Sequence, residues 1–210
     1  MDPFKTTIET YNKVARAYQD KFMDLDLYDA GYDKFCDLIQ QQNASVFEIG
    51  CGPGNITKYL LKKRPDFKIE AIDAAVKMIE LARINNPAAA FSVVDARNIG
   101  NISEKYDGII SGFCMPYLSQ EECSGLIKNC STLLVSGGIF YASVIEGPYS
   151  KSGYEAGSSG DKVFVYYHNE GFLSQALKEN NFEIISVDRL IYPKPGAEDL
   201  SNLIFIARKK

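Results

Sequence analysis

The sequence predicts an α/β layered domain built on a mainly parallel sheet. Three observations carry this. From residue 44 onward, short apolar runs alternate with amphipathic stretches. The first run closes on a glycine-rich turn, Gly50-Cys51-Gly52-Pro53-Gly54. The chain has 210 residues and is 46% hydrophobic, which suits one domain with a full core. Strands that alternate with helices build parallel βαβ units.

The elements follow in chain order. Residues 1–43 read as helix, with Tyr28, Tyr32, Phe35, Cys36 and Ile39 at helical spacing. Strands are expected at 44–49, 68–72, 90–94, 106–111, 138–144, 182–190 and 203–207. Helices are expected at 55–63, 75–84, 120–134 and 170–179. Ser119 with Glu122 forms a capping box that fixes one helix start. Asn169 caps the last helix, and Asn181 takes the left-handed turn that ends it. Residues 146–162 are rich in Gly, Ser and Tyr and lack periodicity. They are expected to form a long loop at a strand's carboxyl end, either a lid or substrate wall or a plain flexible excursion.

Bulk composition narrows the partners. Net charge is −4 and the Lys and Arg residues are scattered, so no basic stripe is available for nucleic acid. No apolar run approaches the roughly 20 residues of a membrane span, and the first residues lack a signal core. A cytoplasmic protein without a membrane partner is expected. The five cysteines are odd in number and contain no CxxC pair, so reduced thiols are expected rather than disulfides or zinc. With one histidine, His168, a multi-histidine metal site is excluded, and no metal is expected.

Ligands of such sheets sit beyond the carboxyl ends of the strands. Glycines there admit a ligand close to bare backbone N–H groups, although a purely structural turn has the same composition. The pattern is E-x-G-x-G-x-G from Glu48, and Asn55 stands where a dinucleotide fingerprint has its third glycine. A ligand without a pyrophosphate is favoured. Asp73 ends the second strand, where a carboxylate accepts hydrogen bonds from a ribose diol. It also suits an N-cap for the next helix, and both roles can coexist. Asp95 ends the third strand; its carboxylate and the Ala96 N–H match an adenine edge, while an ordinary turn aspartate is the bland alternative. The fourth strand opens into the apolar mouth Gly112-Phe113-Cys114-Met115-Pro116-Tyr117.

These motifs resemble those of the class I S-adenosylmethionine-dependent methyltransferases, in particular the small-molecule branch. "VFEIGCGPGNIT" is similar to the family's glycine-rich first motif, and "EAIDAAVKMIELAR" to its ribose-binding strand and helix. "FSVVDARNI" resembles the adenine-binding turn. "YDGIISGFCMPYLSQEE" and "LLVSGGIFYASV" resemble the fourth and fifth strands. "YYHNEGFLSQALKENNFEIISV" resembles the penultimate helix and strand, with Asn181 where the family usually has Gly. The resemblance runs from about residue 44 to the end, with a looser match in "YNKVARAYQDKF". It implies a single Rossmann-like seven-stranded, mostly parallel sheet with helices on both faces and the last strand antiparallel. It implies one methyltransferase domain over 1–210: a helical cap at 1–43, a cofactor-binding half at 44–145, and a substrate loop with C-terminal strands at 146–210.

The implied cofactor is S-adenosylmethionine, with S-adenosylhomocysteine as product and a small molecule as methyl acceptor. Gly50, Cys51 and Gly52 are expected along its methionine and ribose. Asp73, with Ala74 beside it, would take the ribose, Met78 would pack on the adenine face or serve as a plain core residue, and Asp95 and Ala96 would read the adenine edge. Phe113 would cover the cofactor. Tyr11 and Tyr18 share a helix face and would reach the methionine carboxylate or simply pack. His168 is either a base or a capping residue. Tyr117, Tyr166 and Tyr167 are candidates for the acceptor pocket. A monomer or homodimer is expected. Two rivals stand: a nicotinamide-dependent oxidoreductase, and a non-catalytic S-adenosylmethionine binder.

Overall fold

The computed structural model describes residues 3–156, 160–194, 196 and 198–210. The chain begins with two helices, α1 (Pro3–Phe22) and α2 (Asp29–Leu38). Then come β1 (Ser45–Ile49), α3 (Asn55–Lys63), β2 (Lys68–Asp73), α4 (Val76–Asn85) and β3 (Ala90–Val93). β4 (Tyr106–Ser111), α5 (Gln120–Leu133) and the long β5 (Leu134–Ile145) continue the alternation. A hairpin of β6 (Gly153–Ala156) and β7 (Lys162–Val165) precedes α6 (Glu170–Glu179), β8 (Phe182–Tyr192) and β9 (Leu200–Lys209).

Seven strands form one sheet in the order β3-β2-β1-β4-β5-β9-β8. β1 pairs in parallel with β2 on one side and β4 on the other. β9 runs antiparallel to both β5 and β8, as the resemblance implied. The sheet is a Rossmann-like architecture, flanked by helices. All of β1 beyond Ser45 is buried, because both faces of a central parallel strand are covered. Two apolar layers follow. On one side α5 and α6 pack through Leu126, Ile127, Leu173 and Leu177 onto Phe140 and Phe205. On the other, Tyr32 and Phe35 of α2, with Ile39 just past its end, pack in one layer with Tyr141 and Ile204.

The local signals behave as their chemistry dictates. The Glu122 N–H donates to Ser119 Oγ at 3.3 Å, and the Ser119 N–H donates to the Glu122 carboxylate at 2.8 Å. Asn169 Oδ1 accepts from the Phe172 N–H. Asn181 has φ +63°, the left-handed conformation that Asn tolerates.

Residues 146–162 do not form a structureless loop. Tyr149–Lys151 make a 3₁₀ turn, and β6 and β7 pair antiparallel, with 157–159 outside the described residues. The hairpin packs on α1 through polar edges: Thr10 Oγ1 donates to the Lys162 carbonyl at 2.7 Å, and the Phe164 N–H donates to Thr7 Oγ1 at 3.0 Å. Among the described residues no helix is long and apolar enough to cross a membrane.

Replacing Ser119 with Ala removes the acceptor for the Glu122 N–H and should cost about 1 kcal/mol. Urea unfolding reads this directly; an unchanged midpoint would show that the α5 start is held by other contacts.

Candidate active site

The site forms where the sheet's strand order reverses, at the carboxyl ends of β1 and β4, the usual ligand crevice of such sheets. The turn after β1 is held from beneath. The N–H groups of Gly50 and Cys51 both donate to the Ile72 carbonyl, at 2.8 and 2.9 Å. Gly50 and Gly52 have φ +72° and +53°, and a Cβ on Gly50 would lie 2.7 Å from the Cys114 Cβ. Glycine is therefore required at position 50 both by conformation and by close approach. Cys51 turns its side chain away, into the apolar layer of Ile56 and Ile79, so only its backbone belongs to the turn's open face.

Asp73 joins β1 to β2 at this point. Its carboxylate accepts the Gly52 N–H at 2.9 Å on one oxygen and the Ala75 N–H at 2.8 Å on the other. The second bond caps the approach to α4. Burial pushes the carboxyl up, while those two N–H donors pull it back. Below the turn, Glu48 is fully buried and accepts from Thr57 Oγ1 at 2.5 Å; burial pushes its carboxyl up to about 8.

Above the turn lies α1. Phe4, Thr7, Ile8, Tyr11 and Tyr18 from this helix close over a cleft floored by Gly50, Gly52, Asp73, Ala74 and Met78. Val94, Ala96, Gly112, Phe113, Cys114 and Tyr117 complete its walls. The roof is tied down on both edges. Asn12 Oδ1 accepts the Lys77 N–H in the first turn of α4, Gln19 Oε1 accepts from Asn85, and the β6–β7 hairpin holds the other side. Inside, the Tyr11 and Tyr117 hydroxyls hydrogen-bond each other, and the Tyr11 and Tyr18 rings meet edge to face at 5.7 Å. Burial raises the hydroxyl of Tyr11 and that of Tyr18, and pushes that of Tyr117 up to about 12, so all three stay protonated.

A second cavity opens from the same junction. Tyr11, Tyr18, Gly50, Gly52, Phe113 and Tyr117 line both. Phe113 holds φ +55°, costly for a side chain this bulky, and its N–H donates to the buried Ser143 Oγ at 2.8 Å. This conformation places its ring at the passage, 4.9 Å from that of Tyr28. The far part of the second cavity is built from Phe22, Leu25, Tyr28, Tyr192, Leu200 and Asn202.

The predicted residues thus divide. Gly50, Gly52, Asp73, Ala74, Met78, Ala96, Tyr11, Tyr18, Phe113 and Tyr117 meet around one cleft. Asp95 does not line it: the Arg97 guanidinium grips both carboxylate oxygens, at 2.7 and 3.1 Å, and the Arg97 N–H adds a third bond. Arg97 in turn reaches Glu122 and lies over the Phe4 ring, 3.9 Å from its centroid. Tyr166 and Tyr167 line neither cavity; Tyr166 stacks on Tyr149, and Tyr167 donates to Glu155. The described part of 146–162 lines neither cavity, which corrects its reading as a substrate wall; it braces the roof instead.

His168 also requires correction as a base. It is completely buried and touches neither cavity. Its Nε2 lies 3.2 Å from the Met115 carbonyl and 3.1 Å from that of Leu118. Carbonyls only accept, so Nε2 carries the proton and the ring ties down the turn after β4. Burial holds its pKa below the ordinary histidine value. The residues that sequence reasoning passed over are those of the second cavity, Phe22, Tyr28, Tyr192 and Asn202. They come from segments far apart in the chain and carry no motif; Tyr28 was legible only as a helix-face residue.

Comparison with known proteins adds the following. Residues 46–138 match the family described as a methyltransferase domain. The chain is 32% identical over 137 residues to 235L, a protein named for methyltransferase activity in Invertebrate iridescent virus 6, covering 65% of this chain and 49% of that one. It is 29% identical over 133 residues to the malonyl-[acyl-carrier protein] O-methyltransferase of Acetivibrio thermocellus, covering 62% and 42%. The chain spans about half the length, or less, of these curated relatives. In fold it is similar to the 1,6-didemethyltoxoflavin-N1-methyltransferase of Burkholderia thailandensis, at TM-score 0.73 and 18% identity, covering 98% of this chain and 88% of that one.

A buried neutral His168 binds fewer protons than the unfolded chain between its lowered pKa and about 6.5. Stability should therefore fall as pH drops below about 6.5, by at most about 1.4 kcal/mol per pH unit from this group. In urea titrations between pH 7 and 5, His168→Gln should be less stable at neutral pH but should lose this part of the pH dependence. An identical slope in both proteins would exclude the assignment.

Proposed function

We propose that the chain is a class I S-adenosylmethionine-dependent methyltransferase, and that it transfers a methyl group from S-adenosylmethionine to a small-molecule acceptor and releases S-adenosylhomocysteine; the methyltransferase-domain match over residues 46–138 and the shared fold support this reading. The observation that carries this reading is the pairing of two cavities across one aromatic junction, with a carboxylate and a glycine turn on the near side.

The residues present fit the cofactor. Each Asp73 oxygen accepts one backbone N–H and keeps a lone pair for a ribose hydroxyl. Val94, Ala96 and Met78 offer an apolar slot for the adenine, with Phe4 above it. The adenine edge then falls to the Ala96 backbone, since the Asp95 carboxylate is committed to Arg97. Gly50 and Gly52 let the methionine portion pass close to the main chain under Tyr11 and Tyr18. Asp73 disfavours a phosphorylated nicotinamide cofactor by repulsion. The second cavity favours an enzyme over a simple binder, because a binder needs no such space beside the sulfur.

Bound S-adenosylmethionine supplies a methyl group already activated on a sulfonium. The chain's own part is placement and exclusion of water. Phe113, Tyr11, Tyr18 and Tyr117 frame the passage and shield it. Alignment of two reactants in such a passage supplies about 7–11 kcal/mol of a barrier. Among the described residues no Asp, Glu or His lines the second cavity, and burial holds the hydroxyls of Tyr11, Tyr18 and Tyr117 protonated, so this reading asks for no proton transfer to the described walls of that cavity. Within this reading residues 1–43 act as the cap and 44–145 hold the cofactor. The acceptor wall comes from α1, α2, Ile145 and the β8–β9 region within one domain.

Calorimetry with S-adenosylhomocysteine tests the proposal. The wild-type chain should bind it, and Asp73→Asn should weaken binding about 10–100-fold, the worth of charge-assisted hydrogen bonds. Circular dichroism should show the fold retained. Equal affinity in the two proteins would remove Asp73 from the ribose site.

A further inference from the structure

The second cavity has a chemical character of its own, and from it we infer that the methyl acceptor is a flat, apolar-bodied anion whose charged group lies at the cavity mouth between Lys21 and Lys194. This rests on the methyltransferase reading above and names the substrate class of that same site.

The body of the acceptor is set by the walls. Phe22, Tyr28, Phe113 and Tyr192 present ring faces and edges around the space, with Leu25 and Leu200 between them. Aromatic rings prefer offset or edge-to-face partners at about 4.5–7 Å, so a planar unsaturated ligand gains more here than a flexible aliphatic one. The charge is set by what is absent as well as what is present. Among the described lining residues there is no Asp or Glu, yet there are two lysines, in a chain of net charge −4. The Lys21 ammonium lies 5.0 Å from the Phe22 ring centroid and 5.8 Å from that of Tyr192, so these rings hold it at the cavity wall. The Lys194 ammonium lies 3.6 Å from Glu155 Oε2, across a pair more than a third exposed on both sides, while its backbone N–H donates to Asp199 Oδ1 at 3.0 Å. An exposed pair of this kind contributes little and yields readily to a better-placed anion.

A third observation points to a bound molecule. Asn202 lines the cavity and is 2% exposed. Its Nδ2 donates to the Tyr28 hydroxyl at 2.9 Å, while its Oδ1 has no partner among the described residues. Turning the amide over would satisfy the oxygen and strand the nitrogen instead. Either way one buried polar atom awaits a group that the chain does not supply. A polar substituent on the ring of the acceptor meets that need.

The test uses 2-naphthoate and its neutral counterpart 2-naphthamide as probes, titrated calorimetrically into the full chain with and without saturating S-adenosylhomocysteine. The carboxylate should bind at least tenfold tighter than the amide. Lys21→Met combined with Lys194→Met should erase that ratio while leaving amide affinity in place. Tyr192→Ala should weaken both probes, which locates them in this cavity. Equal affinity for the two probes, failure of both to bind, or an intact ratio in the lysine double variant would overturn the inference. Failure of S-adenosylhomocysteine to bind would instead overturn the cofactor reading, and the probe ratio in the cofactor-free chain would still decide the acceptor class.

Discussion

Everything at the site depends on how the turn after β1 is anchored. Two consecutive N–H groups, from Gly50 and Cys51, converge on one carbonyl, that of Ile72, and the next, from Gly52, is taken by the Asp73 side chain. Three donors are thus satisfied by the end of a single neighbouring strand. This forces the chain through left-handed backbone at Gly50 and Gly52, and it leaves the outer face of the turn bare. The same anchoring fixes Asp73, whose second oxygen holds the start of α4. One carboxylate therefore sets the floor of the cleft and the helix beside it.

The roof obeys a different logic. α1 contributes Ala15 and the partly buried Ile8, Tyr11 and Tyr18 to a small apolar cluster with Ala75 and Met78, far less than the main layers bury. Phe4 adds a contact with the α5–α6 layer and with Arg97, Tyr11 meets Tyr117, and further attachments are polar and peripheral: Asn12 on α4, Gln19 on Asn85, and Thr7, Thr10 and Lys13 on the hairpin side. An element held this way opens at lower free energy than the sheet it covers. The β6–β7 hairpin belongs to this arrangement, as a brace for the roof rather than a wall for the acceptor.

Much of the framework was legible in the residues. The alternation of apolar runs located the seven strands of the main sheet, and the Ser119–Glu122 and Asn169 caps marked helix starts that the structure reproduces. The first strand of the hairpin, β6, was not legible, because a four-residue strand flanked by Gly and Ser carries too little periodicity to register. Nor was the break at residues 23–28 between α1 and α2, which contains neither Gly nor Pro. Asp95 illustrates a further limit. Position and residue type pointed to a ligand, but Arg97, two residues on, reaches back and occupies the carboxylate. His168 illustrates the converse: a residue chosen for its reactivity is spent on two carbonyls. The second cavity lay furthest from sequence reasoning, since its walls meet only when α1, α2 and the β8–β9 corner come together.

The most direct measurement is a crystal structure of the chain with S-adenosylhomocysteine. The account predicts the ribose diol on the Asp73 carboxylate, the adenine between Met78 and Ala96, and the sulfur facing the passage framed by Phe113 and Tyr117. A nucleoside bound elsewhere, or a sulfur sealed off from the cavity of Phe22, Tyr28 and Tyr192, would contradict it.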